Sequence, residues 1–170
     1  MSWRRTDFML ASIGICGLLA ADVATVRSAR ADDKCKPVHG TIITHLTDPA
    51  TCQSPFLLCT AGKIVGAGPL NGASTFTTLG LAPSAGMPGV VPPTTLSYAG
   101  ALVITTRHGQ IQLGDVGILD QGNLVFTEID RVQGGTGSFA GKTGTWFISG
   151  PIIDNGTGFR GEIDGQLCDP

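Results

Sequence analysis

Apolar and polar residues alternate along most of this chain, and the last stretch shows it most clearly. Phe159, Ile163 and Leu167 share one parity with Gly161 and Gly165, while Arg160, Glu162, Asp164 and Gln166 hold the other. That period of two marks a strand with one buried face and one wet face. The stretch before it repeats the pattern, with Trp146, Ile148 and Ile152 on the parity of Gly144 and Gly150. Beyond the N-terminal region, no window of about a dozen residues keeps a helical period free of glycine or proline. The pattern predicts eight strands: Val38–Leu46, Leu58–Ala67, Ala73–Leu79, Thr95–Arg107, Gln110–Leu119, Leu124–Gln133, Gly144–Ile153 and Phe159–Leu167.

Turn chemistry falls between these runs. Asn71-Gly72 and Asn155-Gly156 read as hairpin pairs, because both residue types tolerate positive φ. His108-Gly109 joins the fourth and fifth strands, and Asp120 to Asn123 joins the fifth and sixth. One connection is long, Gly80 to Pro93, with four prolines and three glycines, and is expected to cross one mouth of the fold. Eight short antiparallel strands leave sticky edges unless the sheet closes. The expected fold is therefore all-β, an eight-stranded antiparallel up-and-down β-barrel. Such a barrel is just wide enough to be filled by side chains or to hold one small ligand.

The sixth strand resists assignment. Leu124, Phe126, Glu128 and Asp130 oppose Val125, Thr127, Ile129 and Arg131, so each face carries both apolar residues and charge. Parity alone does not choose which face meets the core.

Residues 1–31 read differently from the rest. Arg4 and Arg5 precede an apolar run, Met9 to Ala21, and Ala29-Arg30-Ala31 offers a cleavage site before Asp32. These are the parts of a secretory signal peptide, and the apolar run is too short to span a membrane. The paired arginines resemble a twin-arginine signal, but Phe8 stands one residue too far away, which favours the ordinary secretory route. The expected mature domain is 32–170, secreted or periplasmic, with no membrane anchor after cleavage. Seven basic and eleven acidic residues remain in it, a net charge of −4, and the basic ones are scattered. Nucleic acid and anionic membrane surfaces are therefore poor partners.

Four cysteines remain, an even number that reads as two disulfides in an exported chain. Three pairings are open. The preferred one joins Cys52 to Cys59 and Cys35 to Cys168, the second tying together the ends of a closed barrel. No C-x-x-C pair supports zinc. His39 and His45 lie six residues apart, about 20 Å along a strand and too far for one metal. No metal or other cofactor is expected.

The eleven residues from Gly134 to Gly144 hold five glycines around one ring, Phe139. They predict a tight loop plugging one barrel mouth. Gly141-Lys142-Thr143 imitates the end of a phosphate-binding loop, but the required earlier glycine is Thr136 and the following segment reads as strand. The run Gly134-Gly135-Thr136-Gly137-Ser138-Phe139-Ala140-Gly141, with Thr143-Gly144-Thr145 before a strand, resembles allene oxide cyclase and dirigent-type barrels. The bacterial exported branch is closer in layout, through Cys52-Gln53-Ser54-Pro55 and the terminal Gly161-Glu162-Ile163 strand near Cys168. The resemblance implies an eight-stranded antiparallel barrel that shelters a reactive apolar molecule and shapes its path. It also implies an isomerase or cyclase-type activity if the protein is an enzyme, and assembly into homo-oligomers.

Candidate chemistry lies on the predicted strands. Glu128 with Asp130, and Glu162 with Asp164, are carboxylate pairs that each share a face. In a lumen, such a pair would supply a general acid beside a base. Both pairs are expected to face solvent, Glu162 and Asp164 the more firmly because the opposite face is apolar. Asp115 is a further lumen carboxylate candidate. Tyr98, Arg107, Arg131, Phe139 and Trp146 are the candidate ligand contacts, and the histidines are expected at the surface. Two functions follow: a barrel that binds, and in one version cyclises or isomerises, an apolar small molecule; or a non-catalytic secreted module with a filled lumen. Interior Gly, Ala and Thr would leave a cavity, whereas Phe126, Trp146, Leu102 and Ile104 packed inside would close it.

Overall fold

The computed structural model describes residues 34–84 and 94–170. The proposed signal peptide and residues 85–93 of the long connection lie outside the described residues. Eight strands form one closed antiparallel barrel in sequence order: β1 (Cys35–Leu46), β2 (Cys59–Val65), β3 (Gly72–Pro83), β4 (Thr95–Thr106), β5 (Gly109–Asp120), β6 (Val125–Gly135), β7 (Thr143–Ile153) and β8 (Gly158–Cys168). Closure comes from β1 against β8, in register from Cys35↔Cys168 to His45↔Gly158. No edge is left to template aggregation.

The two preferred disulfides are present, Cys35–Cys168 at the closing seam and Cys52–Cys59 beside the loop leading into β2. Disulfides of this kind persist in oxidising compartments. The Asn155-Gly156 turn behaves as its sequence predicts, with φ of 55° and 95°. The Asn71-Gly72 turn does not. Asn71 has φ −59°, and its side-chain oxygen instead accepts the backbone N–H of Ala67 at 2.8 Å. Positive φ falls earlier, at Gly66 and Gly68, where glycine carries it without a Cβ clash.

Inward positions alternate along the strands, with a shift of parity in β3 at the bulge between Thr78 and Gly80, and fill the barrel unevenly. Toward the end that carries Cys35 and Cys168, Ile64, Ile104, Ile111, Leu113 and Trp146 pack with at most 1% exposure each. The Gly134–Gly144 loop closes this end. Phe139 is 1% exposed, and a Cβ on Gly135 would collide with it. The backbone N–H of Ser138 donates to the carbonyl of His108 at 2.9 Å, which fastens the plug to the β4–β5 turn. The plug reading holds, and Lys142 within it pairs with Asp169.

The sixth strand is settled by its neighbours. Phe126, Glu128, Asp130 and Val132 point inward and Val125, Thr127, Ile129 and Arg131 outward. The expectation that Glu128 and Asp130 face solvent is therefore corrected. In register, Phe126 meets Leu119 and Val132 meets Leu113, both inward residues of β5. Burying those apolar pairs drags the interleaved carboxylates inside, since a strand cannot turn one face two ways.

Candidate functional site

Among the described residues, the opposite half of the barrel is left unfilled. A cavity of about 610 Å³, counting the part that opens to solvent at its mouth, lies between the later residues of β1, β3 and β5 and the early residues of β2, β4, β6 and β8. Its walls are Ile42, Phe76, Leu102, Leu119, Phe126 and Phe159, and its polar groups are Thr44, Thr60, Tyr98, Asp115 and Glu128. Phe76 meets Tyr98 edge-on at 6.1 Å, and Phe126 meets Phe159 edge-on at 5.6 Å, so two ring pairs frame the space.

Two register rows build the polar floor. In one row Tyr98, Gly117 and Glu128 lie side by side on β4, β5 and β6. A Cβ on Gly117 would collide with the Tyr98 ring. The missing side chain lets the ring cross β5 and donate its O–H to Glu128 Oε2 at 2.6 Å. In the adjacent row Gly100, Asp115, Asp130 and Trp146 follow one another across β4 to β7. Gly100 plays the same part for Phe76, whose ring occupies the place of its side chain.

Three carboxylates thus share one interior. One oxygen from each of Asp115, Glu128 and Asp130 lies within 4.8 Å of the others, the only such grouping of possible metal ligands among the described residues. Asp130 is fully buried and Asp115 is 4% exposed, and neither has a hydrogen-bond partner on either oxygen. Loss of water pushes Asp130 and Asp115 well above the ordinary carboxylate range, and the charge of Glu128 pushes both further the same way. Glu128 rises as well, through burial, although the Tyr98 hydrogen bond partly opposes this. Burial first, and then the Glu128 carboxylate, raise the Tyr98 hydroxyl. These groups titrate as a cluster, and at neutral pH it retains protons. Three hard oxygen donors have the composition of a divalent-cation site, a donor set that cysteine and histidine spacing does not reveal.

No family model matches this chain, and neither a curated protein nor a solved structure does so. The site is read from its own geometry.

Of the candidates named from sequence, the fold brings together Tyr98, Asp115, Glu128 and Asp130, with Trp146 against Asp130 but below the cavity. The remaining ligand-contact candidates lie elsewhere. Arg107 is exposed at the β4–β5 turn on the plugged end, where its Nε donates to His108. Arg131 projects from the outer face into a shallow groove with Thr145 and Gln166. Phe139 is a core residue of the plug. Period two decides these cases: Arg131 neighbours Asp130 in sequence and for that reason faces away from it. Glu162 and Asp164 face solvent as expected, bonded to Thr41 and His39, and His45 pairs with Asp154 outside. Sequence reasoning missed the walls, Thr44, Thr60, Phe76 and Phe159. Their signal was the parity each shares with buried neighbours on its own strand.

Proposed function

We propose that this protein is an exported barrel that binds an apolar small molecule in its lumen and exchanges a proton with it. The observation that supports this reading is an apolar cavity whose floor holds buried carboxyl groups, Asp115 without a hydrogen-bond partner beside a Glu128 fixed by Tyr98. A mostly apolar cavity with a few convergent polar groups is the usual form of a small-molecule site. A carboxylic acid kept neutral near pH 7 can donate a hydrogen bond or a proton to a basic atom of the ligand, and its conjugate base can take a proton back. That is the chemistry of an isomerisation or ring closure, and it agrees with the resemblance to allene oxide cyclase and dirigent-type barrels. Residues 1–31 direct export in this reading, and the two disulfides fit the destination.

The test is binding of an apolar fluorescent dye together with mass spectrometry of an organic extract of the purified protein. Thr60→Phe places a ring in the cavity and is expected to abolish dye uptake while leaving the fold intact. Absence of dye binding and of any extracted molecule in the unaltered protein would refute the reading.

One feature supports self-association alongside ligand binding. Val116, Ile129 and Phe147 lie side by side on the outer faces of β5, β6 and β7, each between 41% and 58% exposed. A homo-oligomer through this strip would show its mass in light scattering, and Phe147→Lys would return it to the monomer.

A further inference from the structure

Among the described residues, the lumen carries acid groups and no lysine or arginine. Every described lysine and arginine lies on the outer surface or at a chain end, so none of them faces Asp115, Glu128 or Asp130. On β4, Tyr98 bonds to Glu128, and on β7, Trp146 stands in register with Asp130, a hydroxyl and an indole. Asp115 is the telling member. It lines the cavity, it is 4% exposed, and both its oxygens lack a partner. An unpaired buried acceptor is costly, and proteins retain one where something else completes it.

We infer that the ligand is a lipophilic amine, a single cationic nitrogen on an apolar body, with the nitrogen set against Asp115 and Glu128 and the body between the Phe76, Tyr98, Phe126 and Phe159 rings. This rests on the lumen being the binding site, and it names the ligand's chemistry. An ammonium donates up to three hydrogen bonds and satisfies Asp115 oxygens that no described residue reaches. Its charge also draws the cluster to ionise, so the carboxylates meet a cation as anions, in a charge-assisted pair. Four rings line the cavity, and a cation held over a ring face gains from it. A carboxylate-headed ligand, by contrast, would set a second negative charge against any ionised member of the trio. A bare divalent cation would use the carboxylates but leave the aromatic walls without a role.

The experiment compares three probes that share one body: phenylbutylamine, phenylbutanol and phenylbutyrate. Each is titrated calorimetrically into the oxidised protein at pH 7, in two buffers of different ionisation enthalpy. The amine is expected to bind at least about tenfold more tightly than the alcohol, as a charge-assisted bond exceeds a neutral one, and the butyrate most weakly. Amine binding alone should release protons to the buffer, because it ionises the floor. In Asp115→Asn and Glu128→Gln, the ratio of amine to alcohol affinity should fall toward one and the proton release should shrink. Alcohol binding as tight as amine binding, or tightest binding by the butyrate, overturns the amine inference and leaves the lumen reading standing. Calcium binding that disappears in Asp115→Asn, with no preference for the amine, overturns it in favour of a metal. Failure of all three probes, with failure of the apolar dye, overturns both readings together.

Discussion

Replacing Asp130 with asparagine is expected to stabilise the barrel at neutral pH. Asp130 is completely buried, has no partner on either oxygen, and sits between Asp115 and Trp146 in its register row. In the fold it stays protonated, whereas the unfolded chain releases the proton once pH passes the ordinary value of 3.8. Folding therefore takes up a proton in this range, and stability falls as pH rises. The barrel is most stable, as far as this group is concerned, below about pH 4, and it loses roughly 1.4 kcal/mol per pH unit until the raised folded value is reached. Between 3.8 and 7 this amounts to about 4 kcal/mol, a figure that requires only that Asp130 remain protonated in the fold at pH 7. Asparagine has nearly the same shape and no such cost. Asp115 and Glu128 contribute similar slopes of their own, so the variant should show about two thirds of the parent's pH dependence between pH 5 and 7. Urea unfolding at fixed pH values, followed by circular dichroism with disulfides intact, measures both quantities. Equal stability of variant and parent at pH 7, or equal slopes between pH 5 and 7, would refute the reasoning, because Asp130 would then be ionised or paired in the fold.

Gly117→Ala should displace the Tyr98 ring, break its bond to Glu128 and cost about 1–3 kcal/mol through overpacking, visible as a lower urea midpoint and a changed tyrosine absorbance. Phe139→Ala should cost about 3–5 kcal/mol, since it empties a fully buried site in the plug, yet leave dye binding at the far mouth intact in the protein that stays folded. Removing the Cys35–Cys168 bridge by paired serine substitution should cost up to about 5 kcal/mol by loop entropy, and removing Cys52–Cys59 only about 2.5. An equal loss from the two bridges would count against the entropic account.

Much of the architecture was legible because it is local. Alternation with period two located all eight strands, and the turn residues separated them, with Asn71-Gly72 the exception because the asparagine side chain closed the turn in place of its backbone. The cysteine pairing followed from an even count and from the adjacency of first and last strands. The candidate site was only half legible. Asp115, between Leu113 and Gly117, stands as a lumen candidate, but β5 carries apolar residues on both faces, so the sequence nominates it without placing it. The sixth strand is harder still, because each face carries both charge and apolar residues.

A sequence of alternating residues determines by itself that a strand has two faces, how far it runs and what chemistry each face carries. It does not determine which face turns inward. That choice is made when neighbouring strands pair, because only then do Phe126 and Val132 find Leu119 and Leu113 to bury against. The tertiary structure made the decision that matters for function. It carried Glu128 and Asp130 into the lumen beside Asp115, and it set Gly117 between Tyr98 and Glu128 so that a ring could reach across a strand. Proximity of this kind depends on register between segments distant in the chain, and no local pattern encodes it.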